Sequence, residues 1–211
     1  MKGLLVFELS RIRQRRYFQP IRNKSDVIRI LLDAVMFMRI SKPSDAQGKF
    51  GNLVLKIEKM SRLFFYHERH IFSIHFPFRH YKLDDINDIT NRFSSRNGTV
   101  IDGKMNEDLL SFFGGEEEVF DSSDYAEIAT RPLDMSDGLL SVIQDLIAYE
   151  SGYLRYDFDA ENENGKLHPL NHLDVFYSNG ARFKLGLKDE ICINDLIDIL
   201  NLNTDCRFLV K

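Results

Sequence analysis

Tryptophan is absent from the 211 residues, and cysteine occurs only twice. Without Trp, bulky apolar packing falls to 17 Phe and 8 Tyr. The two thiols, Cys192 and Cys206, stand 14 positions apart. That is not the paired spacing of a structural zinc site, and two sulfurs are too few to staple a disulfide scaffold. Both are expected to be reduced thiols in a cytoplasmic protein. A long apolar run is missing as well. The richest stretch, Ile28 to Ile40, is broken by Arg29, Asp33 and Arg39, so it lacks the roughly 20 predominantly apolar residues of a membrane helix. Near the start, Gly3-Leu4-Leu5-Val6-Phe7 meets Glu8 before reaching the length of a signal-peptide core. No membrane association is expected, and no internal repeat or low-complexity tract is found.

What remains has globular composition, with 44% apolar and 28% charged residues, enough to exclude wholesale disorder. The net charge of −4 conceals an asymmetry. Residues 1–82 carry 17 Lys and Arg against 6 Asp and Glu, whereas residues 83–211 carry 11 against 26. A basic surface for nucleic acid is one reading, and mutual neutralisation of the two halves is the other. The second is favoured, because most of the basic residues are scattered among core-like apolar segments. The compact cluster Arg11, Arg13, Arg15 and Arg16, beside Tyr17-Phe18, is the exception and a candidate for binding nucleic acid or another anion.

Periodicity predicts the elements. Residues 4–9 fit a short strand or a first helical turn. A helix over Asp26–Ile40, with Ser25 as N-cap, is apolar on nearly every face and therefore central to a core. Leu53, Ile57, Met60 and Phe64 follow helical spacing, so 52–66 is expected to be helical. Ile71 to Phe76 reads as a strand stopped by Pro77. Leu83, Ile86, Ile89 and Phe93 mark a short amphipathic helix closed by Asn97-Gly98. Gly114 to Arg131 is acidic and turn-rich, the expected exposed loop or hinge. Ser136–Tyr149 is expected to be a helix. Three alternating strands follow, around Leu154–Phe158, His172–Tyr177 and Ala181–Leu185, and Ile193–Asn201 closes the chain as a helix with Asn194 as N-cap. The fold class is therefore α+β. A helical N-terminal and central part precedes a C-terminal antiparallel β-meander and a closing helix, in a single domain over 1–211. A subdivision would separate a basic helical part, 1–113, from a β-meander part, 132–211.

The turn at Ser178-Asn179-Gly180 sets a register. A two-residue turn would pair Ser178 with Ala181 and mix polar with apolar groups on both faces. A three-residue loop instead pairs Tyr177 with Ala181, Val175 with Phe183 and Leu173 with Leu185, giving one clean apolar face. Burial at ~1.5–3 kcal/mol per large side chain favours that alternative. Gly180 is then expected at positive φ beside a bulge.

Two groups of polar residues invite chemical readings. His67-Glu68-Arg69-His70, with His75 and His80, lacks the H-E-x-x-H spacing of zinc proteases and is expected to be structural. Asp157-Phe158-Asp159 and His168 through Asp174 are more promising. His172 and Asp174 project from one face of their strand and Asp157 and Asp159 from one face of theirs, so on neighbouring strands all four approach one another beside Arg182 and Lys184. Such a set can ligate a divalent ion or act as acid and base on a phosphodiester. The bland alternative, a solvated sheet face with cross-strand ion pairs, is the favoured one. A calcium loop starting at Asp157 fails, because its sixth and twelfth positions are Asn162 and His168. The acid-x-Lys pair of restriction-type nucleases is missing at Arg182-Phe183-Lys184. The candidate catalytic groups are therefore Asp157, His168, His172 and Asp174, and Arg182 and Lys184 join the N-terminal arginines as candidate anion binders. The catalytic groups are expected to lie close together without a bound metal, and no motif names a cofactor.

Tyr153-Leu154-Arg155-Tyr156-Asp157, His168-Pro169-Leu170-Asn171-His172-Leu173 and Arg182-Phe183 together resemble the ending of a family of uncharacterised bacterial proteins of about this length. Asp174 stands where that family's pattern often has a second His. The resemblance covers about 60 residues, from 150 onward. It implies a soluble subunit of a bacterial defence or toxin–antitoxin-like system, working through a protein partner encoded nearby. A metal-dependent phosphodiesterase or nuclease is the alternative from another class, and nucleic-acid binding through the N-terminal cluster is a third.

Overall fold

The computed structural model describes residues 3–58, 61–82, 91–114, 136–178 and 181–207. Contacts divide the chain into two compact units, each assembled from separated segments. The first takes Met1–Tyr17, Ser44–His75 and Gly152–Lys211, and the second takes Phe18–Pro43 and Phe76–Ser151. Along the chain, the two segments of the second unit interrupt the first at two separate points.

The first unit is built on a 7-stranded sheet in the order β1-β2-β3-β4-β7-β8-β9. Its strands are β1 (Leu4–Glu8), β2 (Asn52–Lys56), β3 (Arg62–His67), β4 (His70–His75), β7 (Leu154–Phe158), β8 (Asn171–Ser178) and β9 (Ala181–Leu187). All the pairings are antiparallel. The α+β class holds, and β4 and β1 fall where Ile71–Phe76 is expected as a strand and 4–9 as a strand or helical turn, but the part taken as mainly helical supplies four of the seven strands. The segment 52–66 is β2 and β3 rather than a helix. Leu53, Val54 and Leu55 are all buried, as are Leu63, Phe64 and Phe65. A strand buried on both faces loses its alternation and leaves spacing alone to mislead. Gly51 (φ +92) precedes β2, where a Cβ would lie 2.2 Å from the Tyr66 carbonyl oxygen. The His67–His70 stretch is the β3–β4 hairpin, with Glu68 at φ 54 in its turn.

The two faces of the sheet have different lives. Val54, Phe64, Ile71, Leu154, Tyr156 and Leu173 face the closing helix (Ile193–Ile199), whose Leu196 and Ile197 complete that core. Cys192, not Asn194, is its N-cap, and the Asp195 carboxylate accepts from the Cys192 N–H at 2.8 Å. On the opposite face an aromatic row joins β3, β4, the residue just before β7, and β8. Phe65 stacks on Phe72 at 4.4 Å, Phe72 meets Tyr153 at 5.9 Å, and Tyr153 meets Phe176 at 4.6 Å. Arg62 stitches β4 to the segment entering β7. It donates from Nε to Ser73 Oγ (2.9 Å) and from Nη2 to the Gly152 carbonyl (2.5 Å).

The β8–β9 hairpin answers the register question in an unforeseen way. Ser178 does pair with Ala181, so the three-residue loop is not formed. Yet Val175 pairs with Phe183, Leu173 with Leu185, Asp174 with Lys184 and Phe176 with Arg182, as the clean-face argument requires. An irregularity between Phe176 and Ser178 supplies the missing residue, a bulge placed in the strand instead of the turn. The conformation expected of Gly180 lies outside the described residues.

In the second unit, the long helix α2 (Lys24–Ile40) buries Ile28, Leu31, Leu32, Val35 and Met38 completely. Its N-cap is Asn23, two residues before the expected Ser25. The Asn23 side chain accepts from the Asp26 N–H, and the Asp26 carboxylate accepts from the Asn23 N–H. Helices α3 (Gly103–Phe113) and α4 (Asp137–Ile147, capped by Ser136) end against basic residues of α2. Arg29 donates to the Phe113 carbonyl at 2.8 Å, and Lys24 donates to the Ile147 carbonyl. Each thereby satisfies a carbonyl left open at a helix C-terminus. Burial lowers the Lys24 pKa, with Glu150 opposing the shift. A ribbon of β5 (Arg79–Lys82) and β6 (Asn91–Ser94) stands where Phe93 was expected to be helical. Residues 83–90 and 115–131, expected as a helix and a hinge, lie outside the described residues.

Asn106 on α3 is fully buried, and neither its Oδ1 nor its Nδ2 has a hydrogen-bond partner among the described residues. Burying an unmade hydrogen bond costs about 1–3 kcal/mol, whereas an apolar group of similar shape avoids that cost. Asn106→Leu is therefore expected to stabilise the protein by about 1 kcal/mol or more, raising the thermal midpoint by a few degrees. A lower midpoint in a melt would show that the amide is satisfied after all.

Candidate functional site

Strict alternation puts Arg155 and Asp157 of β7, His172 and Asp174 of β8, and Lys184 of β9 on one face. The pairings Arg155–Asp174, Asp157–His172 and Asp174–Lys184 then bring them side by side. This face continues the aromatic row, so the polar groups start from a largely desolvated floor. The His172 side chain is 1% exposed and that of Asp174 11%.

The hydrogen bonds fix which atoms are available. His172 donates from Nδ1 to the Pro169 carbonyl at 2.8 Å. Its Nε2 lone pair therefore points into the cluster, where the Lys184 ammonium donates to it at 2.9 Å. Lys184 also donates to Asp174 Oδ1 at 2.6 Å. Arg155 bridges the carboxylates, reaching Asp157 Oδ2 at 2.6 Å from Nε and Asp174 Oδ2 at 2.8 Å from Nη2. His172 Nε2 lies 3.9 Å from Asp157 Oδ2 and 3.8 Å from Asp174 Oδ1. Burial works against the Arg155 charge, but Asp157, Tyr153 and Asp174 outweigh it, so the guanidinium pKa is raised.

One ligand atom from each of Asp157, His172 and Asp174 lies within 4.8 Å of the others, the only such His, Cys, Asp or Glu grouping among the described residues. An imidazole and two carboxylates suit a borderline or hard divalent ion. A ligating His that donates its second ring N–H to a backbone carbonyl is the usual outer support of such a site.

The remaining expected site residues divide. His168 stays outside the triad: its Nε2 lies 3.0 Å from Asp159 Oδ2, and its ring packs edge-on to His172 at 4.8 Å. Desolvation pushes the Asp159 pKa up, but the hydrogen bonds it accepts from Asn162 and its contact with His168 together outweigh that push and lower it. Lys184 joins the cluster, whereas Arg182 lies over the Phe176 ring at 5.2 Å. Arg11, Arg13, Arg15 and Arg16 are on helix α1 (Arg11–Tyr17), which follows β1 at the opposite edge of the sheet. Arg11, Arg15 and Arg16 are exposed and Arg13 is half-buried. The two groups are not brought together.

Compared with protein-family models, with curated proteins and with solved structures, the chain matches none.

Three contributors were not singled out in the sequence as site residues. Arg155 lies two positions before Asp157, and strand alternation alone assigns it to the same face. The Pro169 carbonyl and Gly186 carry no such signal. Gly186 pairs with His172, and a Cβ there would stand 2.9 Å from Pro169 Cγ. The missing side chain lets Pro169 close over the strand and offer its carbonyl to the imidazole.

Tyr153 borders the cluster. Burial pushes its hydroxyl up to about 12, against the pull of Arg155, from an ordinary value of 10.0. The folded state thus keeps a proton that the unfolded chain gives up. The associated stability is fully present below pH 10 and is lost as pH rises toward about 12. Tyr153→Phe should reduce the slope of stability against pH in that window, measured as urea midpoints at several alkaline pH values. An unchanged slope would move the effect to other tyrosines.

Proposed function

We propose that the protein is a divalent-metal-dependent hydrolase of phosphate esters, with Asp157, His172 and Asp174 as the ligands. The observation that carries this reading is the orientation of His172. A buried imidazole has its Nδ1–H spent on a backbone carbonyl, and its Nε2, which accepts from Lys184, lies 3.9 and 3.8 Å from the Asp157 and Asp174 carboxylates. An ion-pair network alone would not need the imidazole.

Charge balance supports the substrate class. With neutral His172, the carboxylates of Asp157 and Asp174 offset the cations of Arg155 and Lys184, so the cluster carries no net charge. A divalent ion makes it doubly positive in a poorly solvated place, where an anion offsets the excess. A phosphodiester meets that requirement, and a neutral ester or an amine does not. When bound, the ion would polarise the phosphoryl oxygen and supply an activated water. The protein's part is to orient the ligands through Pro169 and Arg155. His168, tied to Asp159, supports the His172 ring instead of entering the reaction.

A second reading, the partner-binding subunit implied by the resemblance, draws on one observation. Phe183 is 50% exposed on β9, an edge strand of the sheet. Large apolar groups on sheet edges are common points of strand addition.

The discriminating experiment is hydrolysis of bis(p-nitrophenyl) phosphate with added Mn²⁺. Turnover is expected to vanish with chelator. His172→Ala and Asp174→Asn should each lower it by more than the roughly 10- to 100-fold typical of changes to outer-shell groups. Circular dichroism would confirm that both variants fold. Turnover that is metal-independent, or that survives both substitutions, would remove the hydrolase reading. Absence of turnover together with capture of a partner through Phe183 would favour the second.

A further inference from the structure

Resting on the metal reading above, we infer that Lys184 is an exchangeable internal cation: it holds the metal's ligand atoms while the ion is away and holds the anionic substrate once the ion has entered. The imidazole Nε2 has a single in-plane lone pair, and Lys184 Nζ occupies it at 2.9 Å. A metal ion bound to Nε2 uses the same lone pair at about 2.0–2.1 Å. Ion and ammonium therefore exclude each other at His172. The second contact of Lys184, to Asp174 Oδ1 at 2.6 Å, is contested in the same way.

Arg155 is in a different position. It takes Oδ2 of both carboxylates and leaves Asp174 Oδ1 and His172 Nε2 untouched. Two carboxylates hold it, and it has no contact with the imidazole to surrender. Lys184 is on the edge strand, with 36% of its side chain exposed. A four-carbon stem lets its ammonium move to the rim without disturbing the backbone. The displaced charge then stands beside a divalent ion. That arrangement is unfavourable until an anion bridges the two, so metal and phosphodiester should bind with positive coupling. By linkage, each raises the affinity of the other by the same factor.

The test uses the full chain and reads free Mn²⁺ by electron paramagnetic resonance, with dimethyl phosphate as the diester probe. In wild type, dimethyl phosphate is expected to tighten Mn²⁺ binding. Lys184→Met should bind Mn²⁺ about fivefold more tightly without the diester, the scale of a partly exposed ion pair relinquished. It should also lose the tightening by dimethyl phosphate. Arg182→Met is the control. It removes the same charge from the same strand face, but Arg182 lies over the Phe176 ring, so its effect should be smaller. Binding to Lys184→Met that is equal to or weaker than wild type would overturn the exchange. So would an equal gain in Arg182→Met. Tightening by the diester that survives Lys184→Met would overturn the anion-holding role. If neither wild type nor Lys184→Met binds Mn²⁺, the metal reading itself falls, and this inference falls with it.

Discussion

Side chains on a strand alternate strictly, so a slip of one residue between β8 and β9 would move Lys184 to the face occupied by Leu173 and Val175. The five polar groups exist as a cluster only because three strands are held in one register. Two features hold it. One is the apolar face, where Leu173, Val175, Leu185 and Leu187 pack with the closing helix. The other is the irregularity between Phe176 and Ser178, which reconciles a short connection with that packing. Hydrophobic burial on one side of the sheet thereby fixes the chemistry on the other.

The C-terminal third was the most legible part of the sequence for this reason. Half-buried strands print their alternation, and the pairings of Asp174 with Lys184 and Phe176 with Arg182 followed from apolar residues alone. The location of the extra residue did not follow, because a bulge in the strand and a longer turn restore the same face. Ser178 opposite Ala181 is the detail that separates them. β2 and β3 were hidden for the opposite reason. Leu53-Val54-Leu55 and Leu63-Phe64-Phe65 are buried on both faces, and a continuous apolar run carries no period of two. The spacing of Leu53, Ile57 and Phe64 then imitated a helix.

For the site, the residue types were visible, but their division of labour was not. His168 and His172 look equivalent in sequence, four positions apart with a proline after the first. The structure spends His168 on Asp159 and orients His172 through Pro169. No periodicity argument distinguishes those roles, because they depend on a loop conformation. Arg155 was recoverable by counting two back from Asp157. The pairing of β4 with β7, separated by the segment Phe76–Ser151, was beyond any local signal.

The absent side chain at position 186 reaches beyond this chain. Because Pro169 closes over the strand where Gly186 has no Cβ, the orientation of His172 is written in residue identity and not only in geometry. Arg155-x-Asp157, Pro169-x-x-His172-x-Asp174 and Lys184-x-Gly186 together form a template that can be searched in remote sequences. In such a search, replacement of the glycine or the proline marks chains that kept the sheet and abandoned the imidazole's orientation. The ion-pairing residues alone would not tell the two groups apart.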